Sequence, residues 1–471
     1  MSPGGGPPQV LYRNLNPGGA TWSTNGSILF QPLSFQGLYQ LSQDGSAAQI
    51  RSVARSAFEA GYRWPSFLPD GKHYLYFVLS SGKESSRVYV GKLGSNERKL
   101  LLTDADSFAA FSPPGYLLFI RGTSLMAQAF NPNSQELSGE AFPVAQNVGR
   151  YDDAGPTGYS PFSVSTNGVL ACGSVKNSQS QLVWMDRGGR EIGTASPVGT
   201  YSEPSLSPDE SQVAIEMLTD GATDLWLMEH SRNIPTRFTS GAVGRASVWS
   251  PDGKEIVYIS EESGAIDLYR KDTGGVGKGR PLLHSSQSKI PDDWSQDGRF
   301  LIYEVSDPKT GNDLWILPMT GAQDPFPFLA TEYAEQSARF SPDGRWITYT
   351  SNESGRIEVY VQGFGNNNER WRISSNGGRM PRWRSDGKEL FYVAGDHQLI
   401  SVPIESGATL KIGSPVLLFR VPMAEFNITS ENRTEYAVAR DGQRFLVNKQ
   451  LSTLDESPIT VITNWTARLK R

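Results

Sequence analysis

The chain has 471 residues, of which 38% are hydrophobic and 20% charged, with a formal charge of −5 and a pI near 5.6. That balance excludes a disordered chain and gives no electrostatic reason to expect a nucleic acid or an anionic membrane as partner. Cys172 is the only cysteine, which excludes an intrachain disulfide and a thiolate metal centre, and no apolar run reaches the roughly 18 residues of a membrane span.

The opening Met1–Pro8 has neither a basic region nor an apolar core, so it does not read as a signal peptide. Gln9–Tyr12 follows as a short apolar strand. From there one unit recurs ten times, each marked by an aromatic or aliphatic residue and a polar turn. The turns are Trp22–Gly26, Phe67–Gly71, Phe111–Gly115, Val164–Gly168, Leu206–Glu210, Trp249–Gly253, Trp294–Gly298, Phe340–Gly344, Trp383–Gly387 and Val438–Gly442, spaced 42 to 55 residues apart. In the fullest form, Phe340-Ser-Pro-Asp-Gly344, proline presets φ, aspartate bonds its own backbone and glycine takes a positive φ.

An alternating apolar strand follows each turn, as in Ile256–Ile259, Leu301–Tyr303 and Leu390–Val393. A third strand often opens with an acid before an aliphatic and an aromatic residue: Asp224-Leu-Trp226, Asp267-Leu-Tyr269, Asp313-Leu-Trp315, Glu358-Val-Tyr360. A fourth closes most units, as in Arg98–Leu102 and Arg280–His284. Four short strands per repeat of about 45 residues is the pattern of a propeller blade. The fold class is therefore all-β: a β-propeller array of about ten blades over residues 1–471, either one ring or two divided near 148–158, with seven blades after the division and three before; the sequence leaves both open.

The last repeat reads as three strands, Glu435–Val438, Arg444–Val447 and Ile459–Trp465. Gln9–Tyr12 either pairs with Ile459–Ile462 and completes that blade, or is the tail of a repeat whose beginning is missing; the sequence leaves both open.

Units of the form Trp-Ser-Pro-Asp-Gly followed by Asp-Leu-Trp/Tyr resemble the repeats of TolB-type propellers, related to those of tricorn and prolyl-oligopeptidase proteins. Tyr62–Gly71, Leu117–Phe130 and Ile459–Trp465 further resemble the C-terminal propeller region of bacterial receptor-like serine/threonine kinases. The opening Gly4–Leu11 is similar to the interior of a longer member of that family. The resemblance implies an extracytoplasmic, periplasmic sensor or interaction domain, with a cytoplasmic location left open. It does not imply kinase activity, because the Gly-rich loop, His-Arg-Asp and Asp-Phe-Gly are all missing from this sequence.

Candidate chemistry is sparse. The Asp of each turn reads as a backbone clasp, since ten equal positions do not make an asymmetric ligand site. Asp224, Asp267, Asp313 and Glu358 lack the acidic ladder of a calcium loop and read as blade-to-blade hydrogen bonds. The acidic pairs Asp152-Asp153 and Asp292-Asp293 read as solvated. His73, His230, His284 and His397 show no ligand spacing. Gly274–Gly279 lacks the Ser/Thr of a phosphate loop and falls where a turn between strands is due. No metal, cofactor or catalytic residue is expected.

The strand before each turn is innermost in a propeller, so Arg63, Glu203, Arg245, Asp292, Arg339, Arg382 and Glu435 are expected at a channel mouth of mixed charge. The sequence points to a monomeric, non-catalytic propeller binding a protein, a peptide or an envelope glycan. A lyase- or glycosidase-type propeller enzyme with carboxylates in the channel is the alternative.

Overall fold

In a computed structural model of the chain, the described residues are 19–31, 37–41, 47–49, 59–80, 86–148, 158–173, 179–219, 222–229, 234–240, 244–260, 266–275, 277–285, 287–307, 310–321, 323–365, 369–407, 409–423, 434–451 and 459–466. They form forty strands in ten antiparallel sheets, and the chain is an all-β propeller array.

The turns explain the repetition. Ser341 Oγ donates to Asp343 Oδ1 at 2.6 Å, Asp343 Oδ1 accepts Arg345 N–H at 3.1 Å, and Ser341 Oγ accepts Trp346 N–H at 2.9 Å. Gly344 sits at φ 69°, where a side chain would strain the backbone. The same bonds recur at Ser250/Asp252 and Ser295/Asp297. Each turn locks the first two strands of its blade into one register.

The chain divides into two compact units, 1–176 with 454–471, and 177–453. The break that two rings would place at 148–158 falls mostly outside the described residues, and the boundary between units lies at 176/177.

The first unit has four sheets. Three have four strands in chain order, starting from Ala20–Trp22, Glu59–Phe67 and Ala110–Ser112. In the fourth, Phe162–Val164 pairs with Leu170–Cys172, which pairs with Thr460–Ile462.

The second unit is a closed ring of six blades. Its innermost strands are Tyr201–Leu206, Arg245–Trp249, Lys289–Trp294, Glu335–Phe340, Arg379–Trp383 and Tyr436–Val438, each packed against the next and the last against the first. The closing blade takes its two inner strands, Tyr436–Val438 and Arg444–Gln450, from the end of the unit. Its two outer strands, Ser180–Asp186 and Glu191–Thr194, come from the beginning.

This corrects the strand expected to follow Arg444–Val447: it is Ser180–Asp186, not Ile459–Trp465. Side-chain chemistry shows why. Val183 and Met185 bury into one core with Phe391, Phe419 and Phe445, while Leu182 and Trp184 bury into another with Tyr201 and Val213. A central strand must be apolar on both faces. Ile459 and Val461 are 72% and 58% exposed and suit an edge. Gln9–Tyr12 lies outside the described residues.

The cores lie between successive blades. One joins Ile302, Leu314 and Ile316 to Ala338, Phe340, Ile347 and Tyr349 of the next blade. Another joins Trp346, Val359 and Val361 to Leu390, Tyr392 and Val402. Such packing holds the innermost strands rigidly around the centre of the ring.

Candidate functional site

Five of the six innermost strands are interrupted at the same place, Tyr436–Val438 being the exception. Their registers shift between Ser202 and Ser205, Arg245 and Val248, Pro291 and Asp293, Gln336 and Arg339, and Arg379 and Arg382. Glu203, Ala246, Ser337 and Met380 stand there at φ 52–55°. A bulge re-aims the flanking side chains, and holding non-glycine residues in this region costs about 1–3 kcal/mol each. Recurrence around the ring makes the bulge part of the architecture.

Two acids that sequence reasoning missed hold these bulges. Glu304 Oε1 accepts Ser337 N–H of the next blade at 2.9 Å, and Glu304 Oε2 accepts Asn312 Nδ2–H at 2.8 Å. Glu216 Oε1 accepts Ala246 N–H of the next blade at 2.8 Å, and its Oε2 accepts Ser202 Oγ–H at 3.0 Å. The signal was a lone acid in an apolar strand: Ile215-Glu216-Met217 and Tyr303-Glu304-Val305.

Six of the seven expected channel residues lie in the six-blade ring; Arg63 lies in the first unit, buried beside the register shift at Arg63/Ser66. Asp292, Arg339 and Arg382 come within electrostatic reach of one another, and Glu203 within reach of Arg382. Glu203 Oε1 accepts Thr434 N–H at 3.1 Å, and Arg382 donates to Thr434 Oγ1 at 2.6 Å, so Thr434 links the two. Glu435 Oε2 accepts Asn448 Nδ2–H at 2.7 Å, and Arg245 is half-buried on its strand.

The two arginines are bound only to neutral oxygens among the described residues: Arg339 to Ala338 O at 3.3 Å, Arg382 to Pro381 O at 2.8 Å and to Thr434. A guanidinium has five N–H donors, so most of theirs remain available. Burial, and then the neighbouring Arg339 charge, pulls the Arg382 guanidinium down to about 10.

Asp292 is buried, and its Oδ2 has no hydrogen-bond partner. Burial pushes its carboxyl up to about 7 against the pull of Arg339. Burial also raises Asp293 and, far more, Glu304, which additionally feels Asp292. The pair Asp292-Asp293 is therefore enclosed and not solvated as expected. Asp152-Asp153 and His230 lie outside the described residues.

The third-strand acids do not form the expected blade-to-blade bonds, one excepted. Asp224 binds Thr239 Oγ1 at 3.0 Å and Arg237 Nε at 3.1 Å. Glu358 binds Ser374 Oγ and, at 3.1 Å, Gly377 N–H. These partners lie on the fourth strand or the connection after it. Asp267 binds His284 likewise, but also reaches Lys289 Nζ on the next innermost strand at 2.7 Å. In these three blades the fourth strand and the connection leaving it supply the bonds, whereas Asp313 accepts from Thr310 Oγ1, ahead of its own strand, at 2.9 Å.

Comparison with known proteins agrees with the repeat chemistry. An uncharacterized protein of Agrobacterium fabrum is 24% identical over 206 residues, 41% of this chain and 69% of that protein. The Tol-Pal system protein TolB of Helicobacter pylori strain J99 is 25% identical over 162 residues, and the match spans 34% of this chain and 39% of that relative. Among solved structures, a putative TolB from Agrobacterium tumefaciens aligns over 59% of this chain and 100% of its own at 17% identity and a TM-score of 0.45. An oligogalacturonate lyase in complex with manganese aligns over 63% and 87% at 17% identity and a TM-score of 0.32. Likenesses at these scores carry no argument about activity. Residues 159–336 match the model of the TolB beta propeller domain, PD40, which supports a TolB-type β-propeller over that stretch.

Proposed function

We propose that this protein is a non-catalytic binding propeller whose six-blade ring takes a protein or peptide segment at its centre. The observation that carries the reading is the pair Arg339 and Arg382. Both are half-buried on adjacent innermost strands, and both are bound only to neutral oxygens among the described residues. Guanidinium donors left open inside a rigid, partly desolvated ring are suited to carboxylates or backbone carbonyls of an inserted chain. Asp292, with its free Oδ2, offers an acceptor beside them.

A second reading, a lyase- or glycosidase-type enzyme, is favoured by the crowding of Asp292, Asp293 and Glu304. Its difficulty is that Glu304 spends both oxygens on Ser337 and Asn312, and Asp293 Oδ2 accepts Phe340 N–H at 2.8 Å. That leaves one acid, Asp292, where general acid–base work by two carboxylates needs two.

On this reading, the likeness to TolB relatives and the resemblance of the repeats to receptor-kinase propellers support a domain of the bacterial envelope, the interacting part of a larger receptor. The resemblance supports this context; no residue of the ring specifies it.

The test is selection of displayed peptides against the whole protein, followed by affinity measurement. Arg339→Ala and Arg382→Ala should each weaken the selected peptides at least about tenfold, the loss of a charge-assisted hydrogen bond. Arg63→Ala, in the other unit, should leave them unchanged. Peptides that bind all three variants equally would place the site elsewhere. Turnover of uronate or glycoside substrates, lost in Asp292→Asn, would establish the enzyme instead.

A further inference from the structure

We propose that Asp313 and Glu335 hold a hard divalent cation of the calcium class between two adjacent blades of the ring. The inference comes from the one place where the repeats disagree. In each of four successive blades an acid heads the third strand, and the next residue pairs with an aliphatic or aromatic residue of the fourth. The pairs are Leu225 with Phe238, Leu268 with Leu283, Leu314 with Leu329, and Val359 with Ile373. The residue after that partner clasps the acid in three blades: Thr239 holds Asp224, His284 holds Asp267 and Ser374 holds Glu358. In the remaining blade that residue is Ala330, which has no group to offer.

The next innermost strand differs at the same level. Lys289 and Glu335 each stand five residues before the aromatic of their turn, Trp294 and Phe340. Lys289 Nζ lies 2.7 Å from Asp267 Oδ1, with both side chains almost fully buried. One acid and one ammonium are neutral together. One blade further on, the ammonium is replaced by the Glu335 carboxylate, so the same two positions carry two acids.

The two carboxylates belong to strands that abut. A Cβ built on Gly311, at the head of the strand carrying Asp313, would lie 3.4 Å from the Ala334 Cβ beside Glu335. Glu335 is 0% exposed and Asp313 6%. Thr331 Oγ1 donates to Glu335 Oε1 at 2.5 Å and Thr310 Oγ1 to Asp313 Oδ2 at 2.9 Å, which fixes one oxygen of each. The other oxygens, Glu335 Oε2 and Asp313 Oδ1, have no hydrogen-bond partner. Native proteins rarely leave such atoms unsatisfied, and buried like charges are costly unless neutralised.

Among the described residues, the positive charge that reaches Glu335 is already engaged. Arg370, whose charge reaches Glu335, is engaged by Glu353 at 2.6 Å and lies over the Tyr349 and Tyr360 rings. Asp307 adds a further negative charge near Asp313. Burial chiefly pushes both carboxyls up, Asp313 to about 6 with the Asp307 charge adding to it, and Glu335 to about 7 with the Asp313 charge adding to it. No group of three or more acids, histidines or cysteines suited to a metal ion occurs among the described residues, so the anchors are the two carboxylates. A hard cation completes its shell with carbonyl oxygens and water, so two carboxylates are sufficient anchors. Two negative charges call for a divalent ion where one called for Lys289.

The test uses the whole protein, stripped with EDTA and titrated with calcium chloride near neutral pH by calorimetry and thermal melting. The expected result is a single saturable binding event with a melting temperature several degrees higher. Glu335→Gln should weaken binding at least about tenfold by removing one of the two carboxylates. Glu335→Lys should abolish it, yet melt at or above the calcium-free wild type, because its ammonium reproduces the Lys289–Asp267 arrangement. Should Glu335→Lys fail to fold, Asp313→Asn must show the same loss of calcium response. Absence of heat and of any shift with calcium, magnesium and manganese overturns the proposal and leaves a carboxyl pair sharing a proton. Binding undiminished in the Glu335 and Asp313 variants overturns it as well.

Discussion

Ser337, held at φ 55°, donates its N–H to Glu304 Oε1 of the preceding blade at 2.9 Å. The bond spans two blades and satisfies a donor that the bulge removes from its own ladder. Glu304→Ala should therefore cost about 1–3 kcal/mol, the penalty of a buried unsatisfied N–H. Glu304→Gln, which keeps an acceptor and drops a carboxyl already pushed far up by burial, should cost much less. Urea unfolding of the two variants decides it; equal losses would mean that Glu304 acts by charge alone.

The pH dependence has a definite sign. Asp292 at about 7, Asp313 at about 6 and Glu335 at about 7 are all raised, chiefly by burial. A raised carboxyl binds its proton more tightly folded than unfolded. Its contribution is full below the unfolded value near 4 and is lost as pH climbs through the folded value. In EDTA the melting temperature should thus fall as pH rises from about 4 to beyond 7. Asp292→Asn should flatten the upper part of that fall. A melting temperature rising over the same window would contradict the burial assigned to these groups.

Close packing at the third-strand clasp gives a steric prediction. A Cβ on Gly378 would lie 2.5 Å from Ser374 Oγ and 3.0 Å from Val359 Cγ2. Ser374 cannot yield easily, because its hydroxyl serves both Glu358 and Val359 N–H. Gly378→Ala should destabilise by about 1–3 kcal/mol, the usual range for overpacking, by thermal or denaturant melting. Gly298→Ala, which meets nothing within 4 Å but sits at φ 75°, separates the steric effect from the backbone effect.

The repeats could be read from the sequence because turn chemistry is local. Serine, aspartate and glycine within five residues of Phe340 make their bonds to one another, and the period repeats them. What local pattern could not reveal was pairing across long separations. Ser180–Asp186 lies beside Arg444–Gln450, and nothing near either strand names the other. The convergence of Arg339 and Arg382 also depends on ring geometry, although each was placed on an innermost strand from its spacing alone. The orphaned Asp313 was hidden because its meaning lies in what three sister blades possess and Ala330 lacks. Glu216 and Glu304 left a trace, an acid inside an apolar strand, whose purpose appears only when the next blade is set beside it.

Ring closure predicts a contrast between two aliphatic truncations. Leu182→Ala empties a fully buried site between Tyr201 and Val213 and should cost about 2–5 kcal/mol. Val461→Ala, at a position 58% exposed, should stay within about 0.5 kcal/mol. Comparable losses at the two positions would return Ile459–Trp465 to the role of an interior strand.

The six-blade ring is closed by Ser180–Asp186 and Glu191–Thr194, and the groups proposed to bind peptide stand on its innermost strands. The most direct measurement compares residues 177–453 with 195–453 by thermal melting and circular dichroism. The first should fold to a β-dominated spectrum, melt in one cooperative step and bind the peptides selected on the whole protein with unchanged affinity. The second lacks both outer strands of the closing blade, exposes the edge of Arg444–Gln450 and should unfold or aggregate. If 195–453 melts and binds like 177–453, the ring does not close as described and the site does not depend on it.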